Sequence, residues 1–416
     1  MAADILYWSL IEWVYYYQAN PFGAASLSAA DRQLTASMYP LFHWGPIPWA
    51  FYILPSAAYA YMFFVKKRTR QTLSEACRPI LKDKTDGFWG KLIDIVSVVG
   101  LLGGTATTFA LATPLIADSI NQLLGLSLGK GLTVIILLFI GAVFTLAVLF
   151  GMKAIAKLAV VCVALFSALF MFVFITGPTK FIIESGISGI GAMIQNFIGM
   201  ATWMDPLRLT GEGSSGFPQQ WTIFYWAYWI AWFVATPFFI AKISEGRTIR
   251  QLIGGAFFYG IAGTFTSFIV FGNFGLYQQV SGKVDAIGML NSGLSPSYII
   301  LAFFDQLPLT RLALVLLVLV MIAFYASTFD AITLVVAGFC RKRLEQDEYP
   351  DRKLRVFWAA VFIILPIALI WLESALNMLK TISIMAAFPL AIIMLIIAGG
   401  FFKEISARKE DGAPDT

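Results

Sequence analysis

The sequence predicts an all-α, polytopic membrane protein, and three observations carry the prediction. Of the 416 residues, 59% are hydrophobic and only 13% are charged, whereas a soluble domain is about 45–50% apolar and roughly 25% charged. Residues 33–65, 95–117, 131–152, 158–179, 213–241, 251–282 and 381–402 contain no Asp, Glu, Lys or Arg, and crossing a bilayer takes about 20 such residues. The third observation is that the basic residues between these runs are segregated into alternate loops. A soluble enzyme cannot keep this much apolar surface from water, so that class is excluded.

Ten membrane segments follow in order, at 4–18, 35–64, 88–122, 131–151, 154–177, 219–241, 251–277, 309–339, 355–373 and 379–402. The third exceeds one span and is expected to tilt or to project beyond the membrane. Stretches 181–202 and 295–306 are expected to be helices lying at the surface, the first because glycines interrupt its apolar run. With the first segment running outward, Arg32, Lys130, Lys180, Arg208, Lys283, Arg311 and Lys380 lie outside, and the other 22 of the 29 Lys and Arg lie inside. That is the bias of the positive-inside rule, and it places the C-terminus in the cytoplasm. It also removes nucleic acid as a partner, because the net charge of +5 is an insertion signal rather than a binding face. Ten segments divide as five plus five, the sixth entering opposite to the first. Inverted repeats of that kind place a site near the midplane, between the halves.

Smaller signals bound the rest. Cys77, Cys162 and Cys340 are far apart and in no metal-ligand spacing. The lone His43 builds no metal cluster by itself. The N-terminus MAADILYWSLIEW lacks the basic flank and small-residue cleavage site of a secretory leader.

Aromatic residues point to the chemistry. Between Trp221 and Trp232, seven of twelve residues are aromatic. On a regular helix Trp221, Tyr225, Tyr228 and Trp232 share an arc of about 60°, with Trp229 at its edge. A second cluster runs from Phe42 to Tyr52, where Pro46 and Pro48 break the backbone between Trp44 and Trp49. Such a break is tolerated only where protein or a cavity covers the freed carbonyls. A third is Tyr15-Tyr16-Tyr17. Indole and phenol faces attract cations that have no hydrogen to donate, and a desolvated face is worth about 2 kcal/mol or more to a quaternary ammonium group. Trp and Tyr also gather at the headgroup belt, which accounts for Trp89 and Trp371. A belt is about one turn deep, whereas the 221–232 stripe is three.

The run Gln220-Trp-Thr-Ile-Phe-Tyr-Trp-Ala-Tyr-Trp229 resembles the W-T-x-x-[FY]-W-x-W-W signature of the betaine/choline/carnitine transporter family. Ala241-Lys-Ile-Ser-Glu-Gly-Arg-Thr-Ile-Arg250 is similar to the family's A-R-I-S-[KR]-G-R-T-I-R loop; Phe42-His43-Trp44 with Pro48-Trp49, and Gly90-Lys-Leu-Ile-Asp94, match too. The resemblance spans essentially the whole chain. It implies a five-plus-five inverted-repeat, leucine-transporter-like bundle with 1–416 as a single transporter domain. Within it, 1–18 is an incomplete first repeat helix, 19–178 the rest of repeat one, 181–202 a surface helix, 219–402 repeat two and 403–416 a short tail. Two peripheral spans and the start of a third precede the matched region in the family, so the chain is expected to be N-terminally short. Tyr228 stands where the signature has its third tryptophan, and Glu245 where the loop has a basic residue.

Carried over by position, the resemblance implies a substrate cage of Trp44, Trp49 and Tyr52 from one span, Tyr16 from another, and Tyr228, Trp229 and Trp232 from a third. Trp221 matches an outer, vestibule-side position. Packing against a neighbouring helix is the alternative for each. Ion coupling points two ways. The stretch Leu6–Glu12 lacks the glycine triplet of sodium-coupled members, and residues 11–17 resemble the sodium-independent carnitine exchangers, although Cys162 stands where the exchangers carry an arginine. Ser327 and Thr328, in contrast, match paired hydroxyls that hold sodium in coupled members. Hydroxyls in membrane helices otherwise bond their own i−4 carbonyl. Glu12 and Asp330 are carboxylates inside apolar segments, costly there and functional candidates by default; pairing near the cytoplasmic end is the alternative for Asp330.

The function implied is secondary transport of a quaternary ammonium solute, such as carnitine, glycine betaine or choline. It would work by alternating access in the cytoplasmic membrane, as a homotrimer, with no cofactor beyond Na+ as a coupling ion. No nucleophile–base pair, phosphate loop or redox motif marks an enzyme. The alternatives are a sodium-coupled carrier of sulfonium or amino-acid-like solutes on the same fold, and a non-transporting truncated form.

Overall fold

The computed structural model describes residues 2–19, 21, 27–150, 152–211, 215–341, 343–344, 348–372 and 376–410. All regular structure among them is helical. The first half holds α1 (Ala2–Gln18), the broken pair α2 (Ala29–His43) and α3 (Pro46–Ala60), the short α4 (Leu73–Ala76) and α5 (Arg78–Leu81), and the long α6 (Phe88–Leu124), α7 (Lys130–Phe150) and α8 (Met152–Thr176). Then comes α9 (Thr179–Thr202). The second half holds α10 (Ile223–Trp232), α11 (Thr236–Lys242), α12 (Ile249–Ser267), α13 (Asn273–Val280), α14 (Ala286–Asn291), α15 (Pro296–Phe304), α16 (Thr310–Phe339), α17 (Arg352–Trp371) and α18 (Leu376–Glu410).

The helix starts follow local chemistry. Ser28 and Thr248 each close a capping box, with Asp31 and Gln251 reaching back to the cap, so two orphan donors are met at each end. Gly45, with Pro46 behind it, ends α2 and starts α3, as fixed proline φ favours a helix's first turn.

Seven helices among the described residues are long and apolar enough to cross a membrane, or eight if α10 and α11, bent by 48°, count as one span. The count is taken over the described residues. α1 has 17 residues and carries Asp4 and Glu12, and α2 and α3 are split at Gly45. α9, expected at the surface, is itself long enough to span. It lies close against α2, where a Cβ on Gly189 would sit 2.7 Å from the Ser37 hydroxyl; small residues allow such an approach between membrane helices. α15 is not a surface helix. Ile299, Ile300, Phe303 and Phe304 are buried, and Phe303 packs on Trp13 of α1 at 5.6 Å. Its apolar residues cover too much of its circumference to lie on a flat surface.

The basic end of the bundle is cross-linked by charge. Asp94 accepts from the Ser74 backbone and hydroxyl at 3.0 and 2.8 Å and from Arg70 at 3.4 Å. Arg78 pairs with Asp86 and holds that carboxyl below its usual range. Arg68 meets Glu404 of α18 at 2.5 Å. Trp89 and Trp371, 55% and 61% exposed, point out of the bundle as belt residues do.

Deeper in, Arg355 of α17 is ion-paired with Asp330 of α16, and its guanidinium lies over the Phe144 ring at 5.8 Å. Removing one partner of such a pair leaves a charge uncompensated. Arg355→Met should therefore lower stability by about 3 kcal/mol, and adding Asp330→Asn should recover most of it. Thermal unfolding of the detergent-solubilised protein decides this; a double variant as unstable as the single would refute the pairing.

Candidate functional site

Glu12 sits within α1 with no exposed surface. An isolated carboxylate there is prohibitively costly, and the sequence meets the cost with donors. Tyr16, one turn along the same helix, donates to Oε1 at 2.6 Å, and the Trp44 indole donates to Oε2 at 2.6 Å. His43 Nδ1 lies 2.8 Å from the Tyr16 hydroxyl and its Nε2 is 3.1 Å from the Thr222 hydroxyl. Tyr16 has one proton and gives it to the carboxylate, so Nδ1 is the protonated nitrogen and Nε2 accepts from Thr222. One carboxylate thus fixes side chains from α1, the α2–α3 break and the π-helical turn Pro218–Thr222 that leads into α10.

Beside this network lies an aromatic layer centred on Trp229. Its ring is 5.3 Å from Trp44, 5.4 Å from Trp49 and 5.1 Å from Tyr52. Helix breaks hold these rings in place. At the end of α10 the last turn tightens, Phe233 N–H bonding to Ile230 O, which frees the Trp229 carbonyl; the Tyr52 hydroxyl takes it at 2.8 Å. In α3, Pro48 has no N–H to give the Trp44 carbonyl, and the Thr264 hydroxyl supplies one at 2.8 Å. Trp49 lies flat on α12, where a Cβ at Gly260 would be 2.6 Å from its ring. Only glycine allows that contact.

The predicted cage residues do not form one stripe. Trp44, Trp49, Tyr52 and Trp229 are together. Tyr228 is turned away toward α6, bonding Asp4 and, at 2.6 Å, Thr108, with its ring stacked on Phe224. Trp232 is buried at the inner end of a cavity of about 580 Å³ that also reaches Ser327, Thr328 and Asp330. Trp221 meets Tyr15 at 4.7 Å and Tyr16 at 5.4 Å. The reason is that most of α10 is covered: Ala227, Tyr228, Trp229, Ala231 and Trp232 are buried, and only the face of Ile223, Trp226 and Ile230, opposite the predicted arc, is half-buried, so Trp229 at the arc's edge also meets protein and becomes the centre.

A second cavity, about 730 Å³, runs along α1 from Tyr7 to Tyr15 and is lined by Asp118, Lys130 and Tyr298 among others. Ala2 borders the first cavity, about 8 Å from Tyr7 along the helix at 1.5 Å per residue.

At the expected ion position Thr328 donates to the Phe324 carbonyl at 2.8 Å, the i−4 bond typical of membrane threonines. Ser327 is half-buried in the cavity wall. α1 is continuous from Ala2 to Gln18, so its carbonyls are committed to helix bonds, and hard cations want several oxygens. Two hydroxyls alone fit sodium poorly. Asp330 is taken by Arg355, and Cys162 is buried in α8. Among the described residues no group of three or more His, Cys, Asp or Glu is placed to hold a metal.

Two participants escaped the sequence analysis. His43 and Thr222 join halves of the chain 179 residues apart, a link no local pattern shows. Lys380 of α18, counted as a loop charge, is buried, with its ammonium 3.3 Å from the centre of the Trp221 ring. The available signal was its place inside segment 379–402.

The profile described as "BCCT, betaine/carnitine/choline family transporter" matches residues 1–410. The chain is 30% identical to the "Uncharacterized transporter YeaV" of Escherichia coli K12 over 97% of its own length and 82% of that protein. It is 30% identical to the "Carnitine transporter" of Acinetobacter baumannii over 97% of this chain and 72% of the other. The "Probable glycine betaine transporter" of Desulfitobacterium hafniense is 30% identical over 97% of this chain and 79% of its own.

If Glu12 is what Trp44 is held by, the two residues are energetically coupled. Trp44→Phe keeps a ring but removes a donor, and Glu12→Gln sets an amide N–H against the remaining donors; each should cost about 1–3 kcal/mol. The double variant should cost at least 1 kcal/mol less than the sum of the two, by roughly the coupling seen between contacting residues. Additive losses in chemical unfolding would sink the idea.

Proposed function

Because the chain belongs to the betaine/carnitine/choline family of transporters, and is thus a multi-pass membrane transporter rather than an enzyme, we propose that it carries a quaternary ammonium solute such as carnitine, glycine betaine or choline by alternating access. The observation that carries this is the set of three rings, Trp44, Trp49 and Tyr52, standing 5.1–5.4 Å from Trp229. Faces of this kind bind trimethylammonium groups, which cannot hydrogen-bond and gain only from π-electron density and desolvation. The Trp229 indole N–H is buried without an acceptor and is available to a polar atom of the solute. Separating these rings admits a headgroup between them.

Access from two sides finds support in the two separate cavities that α1 lines, one at Ala2 and the other from Tyr7 to Tyr15, and in the 48° bend between α10 and α11, which ends the aromatic helix beside one of them. The two runs of five segments would be inverted repeats that rock against each other. The unbroken α1 favours exchange over sodium symport, since it frees no carbonyls for an ion. The positive-inside count supports a cytoplasmic membrane location with the end of α18 in the cytoplasm, and the family resemblance implies a homotrimer.

In proteoliposomes, labelled carnitine, glycine betaine or choline should enter against preloaded solute at a rate indifferent to a sodium gradient. Trp229→Ala should cut uptake about 30-fold, equivalent to one desolvated cation–π face of ~2 kcal/mol. Accumulation only with sodium would overturn the exchange reading and return Ser327 and Thr328 to candidacy. No flux of any of the three would overturn the function.

A further inference from the structure

Lys380 is an ammonium inside the aromatic site. It is 6% exposed, its Nζ lies 3.3 Å from the Trp221 ring centre and 5.1 Å from that of Phe224, and it donates to the Gln220 carbonyl at 3.0 Å. An ammonium has three N–H donors and is strongly hydrated in water. Among the described residues, one donor has a carbonyl and the other contacts are with ring faces. The residue is connected to the rest of the site through Trp221, whose ring touches Tyr16 at 5.4 Å, and Tyr16 bonds Glu12. Through these contacts the aromatic site holds both a carboxyl group, Glu12, and an amine, Lys380.

Two consequences follow for a ligand. A purely cationic headgroup seeking the Trp221 face meets a like charge already seated on it, where low dielectric makes repulsion strong. A zwitterion brings a carboxylate that accepts from the N–H groups Lys380 leaves on ring faces, by a charge-assisted bond stronger than a neutral one, while its ammonium faces the rings and Glu12. Resting on the quaternary ammonium function above, we propose that Lys380 is a specificity-determining residue that binds the carboxylate of the solute and selects zwitterionic over purely cationic trimethylammonium compounds.

Glycine betaine and choline test this, since they share a headgroup and similar size and differ in the carboxylate. Binding of each to the purified full chain in detergent is followed by tryptophan fluorescence. The wild type should bind glycine betaine more tightly than choline. Lys380→Met should weaken glycine betaine about tenfold or more, the loss of a charged hydrogen bond, and tighten choline, reversing the preference. Lys380→Arg should keep the wild-type order. A wild type that favours choline, or a Met variant in which both affinities change together or neither changes, overturns the role of Lys380 while leaving the transport function standing. A wild type that binds neither compound overturns both. Elution of the Met variant as a single species, with choline binding retained, separates a lost contact from a lost fold.

Discussion

A carboxylate buried in an apolar helix is the constraint around which the site is organised. Glu12 cannot keep its charge in the bundle unless donors replace water, and the donors come from three elements. Tyr16 lies on the same helix, Trp44 at the α2–α3 break, and His43 extends the network to Thr222. Because both Glu12 oxygens are used, the position of Trp44 is specified within hydrogen-bond tolerance, and Trp44 in turn fixes where the Trp229 ring can stand. The aromatic layer is therefore placed by an electrostatic requirement as much as by packing.

Backbone breaks supply the remaining order. The carbonyls of Trp44 and Trp229 both lose their helical partners, one because residue 48 is proline, the other because α10 tightens before it ends. Each is met by a hydroxyl from another helix, Thr264 and Tyr52. Irregular backbone at membrane depth is stable only when its polar groups are covered in this way. The same bonds tie α3 to α10 and to α12, so the places where the helices are weakest are also where the two halves of the chain are joined.

Much of this was legible in the sequence. Uncharged runs marked the long helices, Pro46 and Pro48 marked the break, and Glu12 stood out as an acid in an apolar segment. Both alternatives named for these polar groups have a contact: Asp330 pairs with Arg355, and Thr328 bonds its own helix. Helical periodicity found the buried face of α10, opposite the half-buried Ile223, Trp226 and Ile230, but a buried arc does not say which ring each residue meets, and Trp229 at its edge proved to be the centre. It also missed the burial of α15, because amphipathicity reports which face is apolar and not what covers it. Thr222 was out of reach and Lys380 was marked only by its place inside an apolar segment, because the partners of both lie more than 150 positions away.

The spacing of the donors around Glu12 has a consequence for synthesis. Helices of a membrane protein leave the ribosome in order, and a charge that had to wait for α10 or α18 would spend that interval unpaired in the bilayer. Tyr16 is four residues from Glu12 and Trp44 thirty-two, so both carboxylate oxygens are served once the second segment has emerged. Thr222 and Lys380 arrive later, onto a charge already stabilised by hydrogen bonds. The nascent chain can insert the acidic α1 early because the means of tolerating it are encoded immediately downstream.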